Sequence, residues 1–199
     1  MKHRAWLVDL DGTLYRPRPV RLCMAAELLV AGIPALPVVR AFRREHERLR
    51  AELDGDVESP YELQLAHVAK RLGRDVGDLR GTLEEWMLER PCKWLRRFAR
   101  RELLAEIGAF RGAGGRTALV SDYPARVKLA ALEATELFDV VVASGEPGGP
   151  RRLKPHPDGF LAAARELAVE PAGCLVLGDR RDADGAAAAR AGMEFRWVR

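Results

Sequence analysis

Cysteine, lysine and long apolar runs are all scarce in this 199-residue chain. Its three cysteines, Cys23, Cys92 and Cys174, are odd in number and widely spaced. That pattern excludes a disulfide framework or a zinc site and suggests buried thiols in a reducing compartment. No apolar run approaches the ~20 residues that cross a bilayer, so no membrane partner is expected. Met1-Lys2-His3-Arg4 leads directly into an apolar strand and leaves no space for a secretory leader; the expected location is cytoplasmic. An aromatic stacking ladder and a basic tail are also missing. The net charge of +4 is spread over amphipathic segments. Arg96-Arg97 and Arg100-Arg101 alternate with Trp94, Leu95, Phe98, Leu103 and Leu104 at helical spacing, as on a solvated helix face, so nucleic acid is not expected as a partner. Lysine is the most telling scarcity. Lys2, Lys70, Lys93, Lys128 and Lys154 are the only five, and arginine supplies the other 28 of 33 cationic side chains. Each lysine here invites a specific reason, because a compact ammonium and a planar guanidinium bind differently.

What is present begins at Trp6-Leu7-Val8-Asp9-Leu10-Asp11-Gly12-Thr13-Leu14-Tyr15. A short apolar run reads as a buried strand, and it ends in two carboxylates one residue apart. Strand alternation sends positions two apart to one side, so Asp9 and Asp11 can face one crevice. Gly12 allows a sharp turn and close approach to a ligand, and Thr13 adds a hydroxyl. Crowded acids repel unless a cation or a shared proton intervenes, and hard oxygen donors suit Mg²⁺. A solvated β-turn is the alternative for these residues taken alone.

From Val20 to about Ile107 the spacing turns helical. Leu22, Ala25, Ala26, Leu29 and Val30 recur at three-to-four intervals, as do Val38, Val39, Phe42, His46 and Leu49. Arg16-Pro17-Arg18-Pro19 is expected to break regular structure as a hinge, and Asp54-Gly55-Asp56 to form a turn. Ser59-Pro60 predicts a capped helix start. Further helices are expected over about 78–89 and up to Gly108. His46 and His67 read as packed or surface side chains, Trp86 and Trp94 as core. Tyr15, Arg16 and Arg18 stand beside the first acids, as a pocket mouth or as a solvated hinge.

The remainder alternates. Strands are predicted over 116–120, 138–143, 174–177 and 194–198, and helices over 125–136, 158–167 and 185–191. Such alternation means right-handed crossovers and a parallel sheet, an α/β fold of Rossmann-like type with helices on both faces. Ligands in such sheets bind at the carboxyl ends of the strands. Polar clusters follow the strands: Ser121-Asp122, Lys154-Pro155 in a loop, and Gly178-Asp179 with Asp184. Singly, Ser121 is as well explained as a helix cap, Lys154 as a surface lysine and the Asp179–Asp184 stretch as a capped helix start.

Taken in order, Asp9-Leu10-Asp11-Gly12-Thr13, Ser121, Lys154-Pro155 and Gly178-Asp179 with Asp184 resemble the haloacid dehalogenase-like hydrolase superfamily. The likeness covers Met1 to Tyr15 and about Gly108 to the C-terminus. It implies an α/β core over residues 1–15 and 108–199 and an inserted all-helical cap over 16–107. The members most similar are small-molecule phosphatases of the phosphoglycolate phosphatase kind.

The resemblance also implies roles. Asp9 is the expected nucleophile and Asp11 the general acid and base. Asp9, Asp11 through its carbonyl, Asp179 and Asp184 are the expected surroundings of Mg²⁺. Leu10, Gly12, Thr13, Ser121, Asp122 and Lys154 are expected to hold phosphate, with Ser121 and Lys154 also counted as catalytic. Asp182 reads as solvated. An acid at position 11 favours phosphate-ester hydrolysis over carbon–halogen cleavage. A phosphosugar mutase, a phospho-accepting signalling module and a binding domain that no longer uses the motif are the alternatives. The expected partner is a small phosphorylated metabolite, and the expected state a monomer or homodimer.

Overall fold

The computed structural model describes residues 2–53 and 55–199. Asp54, in the turn expected at 54–56, lies outside them. Five parallel strands form one sheet: β1 (Ala5–Val8), β2 (Arg116–Ser121), β3 (Val140–Ala143), β4 (Cys174–Gly178) and β5 (Glu194–Trp197). Their order is β3-β2-β1-β4-β5. The first strand in sequence is therefore the central one, with Leu7 opposite both Ala118 and Val176.

Between β1 and the rest of the sheet the chain is helical: α1 (Pro17–Ala31), α2 (Leu36–Glu52), α3 (Pro60–Leu72), α4 (Val76–Leu83), a π-helical turn (Glu84–Glu89) and α5 (Cys92–Arg97). The helices α6 (Arg101–Gly112), α7 (Arg126–Ala131), α8 (Asp158–Glu166) and α9 (Ala186–Arg190) accompany the sheet. Strand alternation divides the interior in two. Leu7, Ala118, Val120 and Val176 pack with Phe160 and Ala163 of α8 and Ala187 of α9. Val8, Leu119, Leu175 and Leu177 turn the other way, among Ile107 of α6 and Leu129 of α7. Helices thus cover both faces, as the near-continuous apolar strands require.

Several expected boundaries shift. Arg16-Pro17-Arg18-Pro19 does not break the chain: α1 begins at Pro17. First-turn N–H groups have no intrahelical acceptor, so proline there loses nothing and its fixed φ suits the helix. The helix expected over 78–89 starts at Val76, because the Asp75 carboxylate accepts from the N–H groups of Gly77 and Asp78, and its second half is the π-helical turn. Ser59 caps α3 as expected, accepting from Glu62. The predicted helix over 125–136 ends at Ala131, and β3 starts at Val140 rather than 138. The helix expected to stop before Gly108 continues to Gly112, so the limit placed at residue 107 falls inside α6. The two segments that connect the helical stretch to the sheet pair with each other: Arg16 N–H donates to Phe98 O at 2.9 Å and Arg100 N–H to Leu14 O at 2.8 Å. Cys174 is buried, but Cys23 and Cys92 are only half-buried, and all three are free thiols. No single helix among the described residues is long and apolar enough to cross a membrane.

Candidate active site

The ends of β1, β2 and β4 meet above the sheet because parallel strands all finish on one edge, and β1 lies between the other two. Asp9 follows β1 directly, its N–H bonded to Leu177 O at 2.9 Å. Thr13 Oγ1 donates to Asp9 Oδ2 at 2.8 Å. Lys154 Nζ donates to Asp9 Oδ1 at 2.6 Å and to Asp184 Oδ1 at 2.8 Å, and approaches Val120 O at 3.3 Å. All three ammonium hydrogens are thereby engaged, and Lys154, which taken singly reads as a surface lysine, is buried, with 4 % of its surface exposed.

Asp9, Asp179 and Asp184 each present an oxygen within 4.8 Å of the others. Burial, with Asp184 and Asp179 nearby, pushes the Asp9 carboxyl above its ordinary range even though Lys154 opposes the shift. Asp179 is likewise pushed up, first by burial and then by Asp184. Asp184 also accepts from the Arg180 N–H at 3.1 Å. Asp179 has no donor for its carboxylate among the described residues. Three acids and one ammonium leave an excess of negative charge on hard oxygen donors, and this donor set fits a divalent cation such as Mg²⁺. Gly12 makes the close approach possible. At φ 99° it sits in the left-handed region, and a Cβ there would overlap the Asp179 carboxylate.

Asp11 departs from that cluster. Its side chain turns away, accepting from Lys128 Nζ at 2.7 and 2.8 Å and from the Tyr15 hydroxyl at 2.6 Å. Burial would raise its pKa, but Lys128 and Tyr15 outweigh it and hold the carboxyl below its ordinary range. As a metal ligand, then, the expectation for Asp11 is confined to its main-chain carbonyl.

The other expected phosphate contacts divide. Leu10 is fully buried, so only its main chain can serve. The N–H groups of Leu10, Asp11 and Gly12 find no backbone acceptor among the described residues and form a natural seat for an anion. Ser121 is 2 % exposed, lines the cleft and accepts from Tyr123 N–H at 3.1 Å, which leaves its hydroxyl hydrogen to donate. The Asp122 carboxylate holds Arg50 of α2 at 2.7 Å and the Lys154 N–H at 3.2 Å instead. Only its main chain suits a phosphoryl oxygen. Burial raises the pKa of Asp122, but Lys154 and Arg50 more than reverse this and hold it below the ordinary range. Asp182 is exposed and pairs with Arg180 at 2.6 Å.

Lys128, Arg50, Glu47 and Arg180 were not singled out by spacing. For Lys128 the scarcity of lysine was the available signal. Arg50 and Glu47 act across the cleft: Glu47 of α2 accepts from Arg180 at 2.9 Å, beside Asp179. His46, on the same helix, is buried and stacked on Tyr123 at 4.3 Å. Tyr15 lines the cleft, whereas Arg16 and Arg18 do not; Arg21 does. The cleft measures about 710 Å³ and opens between these helices and the strand ends.

The model of a haloacid dehalogenase-like hydrolase matches residues 3–192. No curated protein sequence matches the chain. Among solved structures, a HAD phosphatase from Thermococcus onnurineus is 22% identical with a TM-score of 0.60, over 98% of this chain and 86% of that one. A 2-haloacid dehalogenase from Pseudomonas syringae pv. Tomato DC3000 is 20% identical with a TM-score of 0.63, over 98% and 86%. The L-2-haloacid dehalogenase from Xanthobacter autotrophicus with chloropropionic acid covalently bound is 19% identical with a TM-score of 0.67, over 98% and 77%. At these identities the likeness establishes the fold.

Proposed function

The chain belongs to the haloacid dehalogenase-like hydrolase family, and from that premise we propose a Mg²⁺-dependent phosphatase that hydrolyses a small phosphorylated metabolite through an aspartyl-phosphate on Asp9. The observation that carries this reading is the second carboxylate, Asp11, held beside the acid cluster yet outside it. An alkoxide needs a proton as it leaves, whereas a halide does not, so an acid–base group placed there serves phosphate-ester cleavage.

In the proposed cycle an Asp9 oxygen forms a bond to phosphorus while the bond to the alcohol oxygen breaks. Asp11 passes a proton to that oxygen, then takes one from the water that cleaves the aspartyl-phosphate. Its lowered pKa keeps it ready as the base, and the proton for the first half arrives with the monoanionic ester. Thr13 and Lys154 fix the Asp9 carboxylate between them, and the free N–H groups of 10–12 with the Ser121 hydroxyl receive the phosphoryl oxygens. A divalent cation on Asp9, Asp179 and Asp184 would supply charge neutralisation. Asp9→Asn is expected to keep the fold, judged by circular dichroism, and to lose at least about 10³-fold in Mg²⁺-dependent phosphate release. Undiminished release would remove Asp9 from the mechanism.

A further inference from the structure

Two walls of the cleft differ in chemistry. Over the ends of β2 and β4 stands α2, charged and tied down through Arg50 to Asp122 and Glu47 to Arg180. Beyond Asp11 the surroundings change. Tyr15, one of its two partners, is followed at once by α1. Lys128, the other, lies on α7, which packs against α5 and the turn at 84–89. The space past the Asp11 carboxylate is therefore bounded by the inner face of α1, with Val20, Met24 and Leu28, and by Trp86, Met87 and Pro91. Val20, Met24 and Leu28 lie on one helical stripe.

These six side chains carry one hydrogen-bond donor, the indole N–H of Trp86, and no acceptor stronger than the thioether sulfurs of Met24 and Met87. Among the described residues lining the whole cleft there is no threonine, asparagine or glutamine, and the one serine is Ser121 at the phosphate end. The cations nearby, Arg21 at the exposed rim and Lys128, are donors only. A leaving alcohol rich in hydroxyls, seated against this wall, would bury several O–H groups away from the acceptors of the cleft, which are the strand-end carboxylates, Tyr15, Tyr123 and the α2 side, and each unsatisfied group is penalised. The wall is also built before any ligand arrives. The Trp86 ring fits against Gly32 so closely that a Cβ there would overlap it, and Arg90 covers the ring at 4.2 Å.

We infer that the substrate is a phosphate monoester of an apolar alcohol, aliphatic or aromatic, seated between α1 and the segment 86–91. This rests on the phosphatase reading for its chemistry, though not for its binding. The test compares n-hexyl phosphate with glucitol 6-phosphate in the presence of Mg²⁺; both are primary six-carbon esters and differ in hydroxyl content. We expect kcat/KM at least tenfold higher for the hexyl ester, and a ratio at least threefold smaller in Met87→Gln. Calorimetry with Mg²⁺ separates seating from turnover, with n-hexylphosphonate expected to bind at least tenfold tighter than methylphosphonate. Preference for the glucitol ester, or equal binding of the two phosphonates, overturns the apolar seat. No phosphate release from either ester, together with tight hexylphosphonate binding, overturns the phosphatase reading and supports the seat.

Discussion

At the scale of single residues, the arrangement around Asp11 decides how the site can act. A carboxylate two residues from Asp9 is free to join the acid cluster, and repulsion from three other acids is the only intrinsic obstacle. Lys128 and Tyr15 remove that freedom by holding both oxygens. Lys128 is buried itself, and the Tyr123 ring lies 5.9 Å from its ammonium. Replacing one partner of such a pair leaves the other uncompensated. Lys128→Met is expected to lower kcat about 10²-fold with little change in KM, and Tyr15→Phe to have a smaller effect of the same kind. Steady-state kinetics on one phosphate ester measures both; a wild-type kcat in Lys128→Met would show that Asp11 needs no such hold. The motifs around Asp9, Ser121 and Asp179 were legible because they stand at the ends of apolar strands, and Lys154 because lysine is scarce and this one precedes a proline in the loop after β3. Lys128 was not, since a lysine in the first turn of α7 has no spacing that ties it to Asp11 at a separation of 117 residues.

At the scale of elements, α2 matters most. It contributes Arg50 and Glu47 to the strand ends, and it buries His46 between Gln64 of α3, Tyr123 and Asp122. Gln64 Nε2 donates to Phe42 O at 2.7 Å, so its oxygen faces His46 Nδ1 at 3.1 Å and fixes the proton on that nitrogen. Burial then lowers the His46 pKa from 6.5; Asp122, 3.9 Å from Nε2, opposes this and Arg50 adds to it. Because the folded pKa lies below the unfolded one, His46 costs nothing at pH 8. As the pH drops through 6.5, the unfolded chain takes up a proton that the folded one refuses, and stability falls. Between pH 8 and 5.5 we expect His46→Gln to lose less stability than the parent, read from urea midpoints at the two pH values. An equal loss would show that His46 ionises as freely folded as unfolded. The helices of this stretch were readable from their three-to-four spacing, while their ends were not: Asp75 as a cap and proline within the first turn moved them by a few residues.

At the scale of the whole molecule, the sheet brings residues from both ends of the chain to one edge and gathers acids there that repel one another. A cation that binds only this assembled cluster must stabilise the fold by mass action. Addition of Mg²⁺ at about 100 times its dissociation constant is expected to add about 2.7 kcal/mol, visible as a rise in melting temperature that EDTA reverses. In Asp179→Asn the rise should shrink or vanish; a full rise in that variant would place the ion elsewhere. The parallel α/β architecture followed from alternation of strand and helix. The face each acid would present did not, because it depends on which strands become neighbours.

That neighbour order has a consequence for how the protein comes into being. The strand that leads into Asp9 is made before the other four but occupies the middle of the sheet, and its residue Ala5 aligns with Cys174. Until that distant partner emerges, the opening strand has one long edge bare. The nascent chain must shelter this short apolar ribbon until β4 emerges, so the acids beyond it can gather only once that far partner is in place.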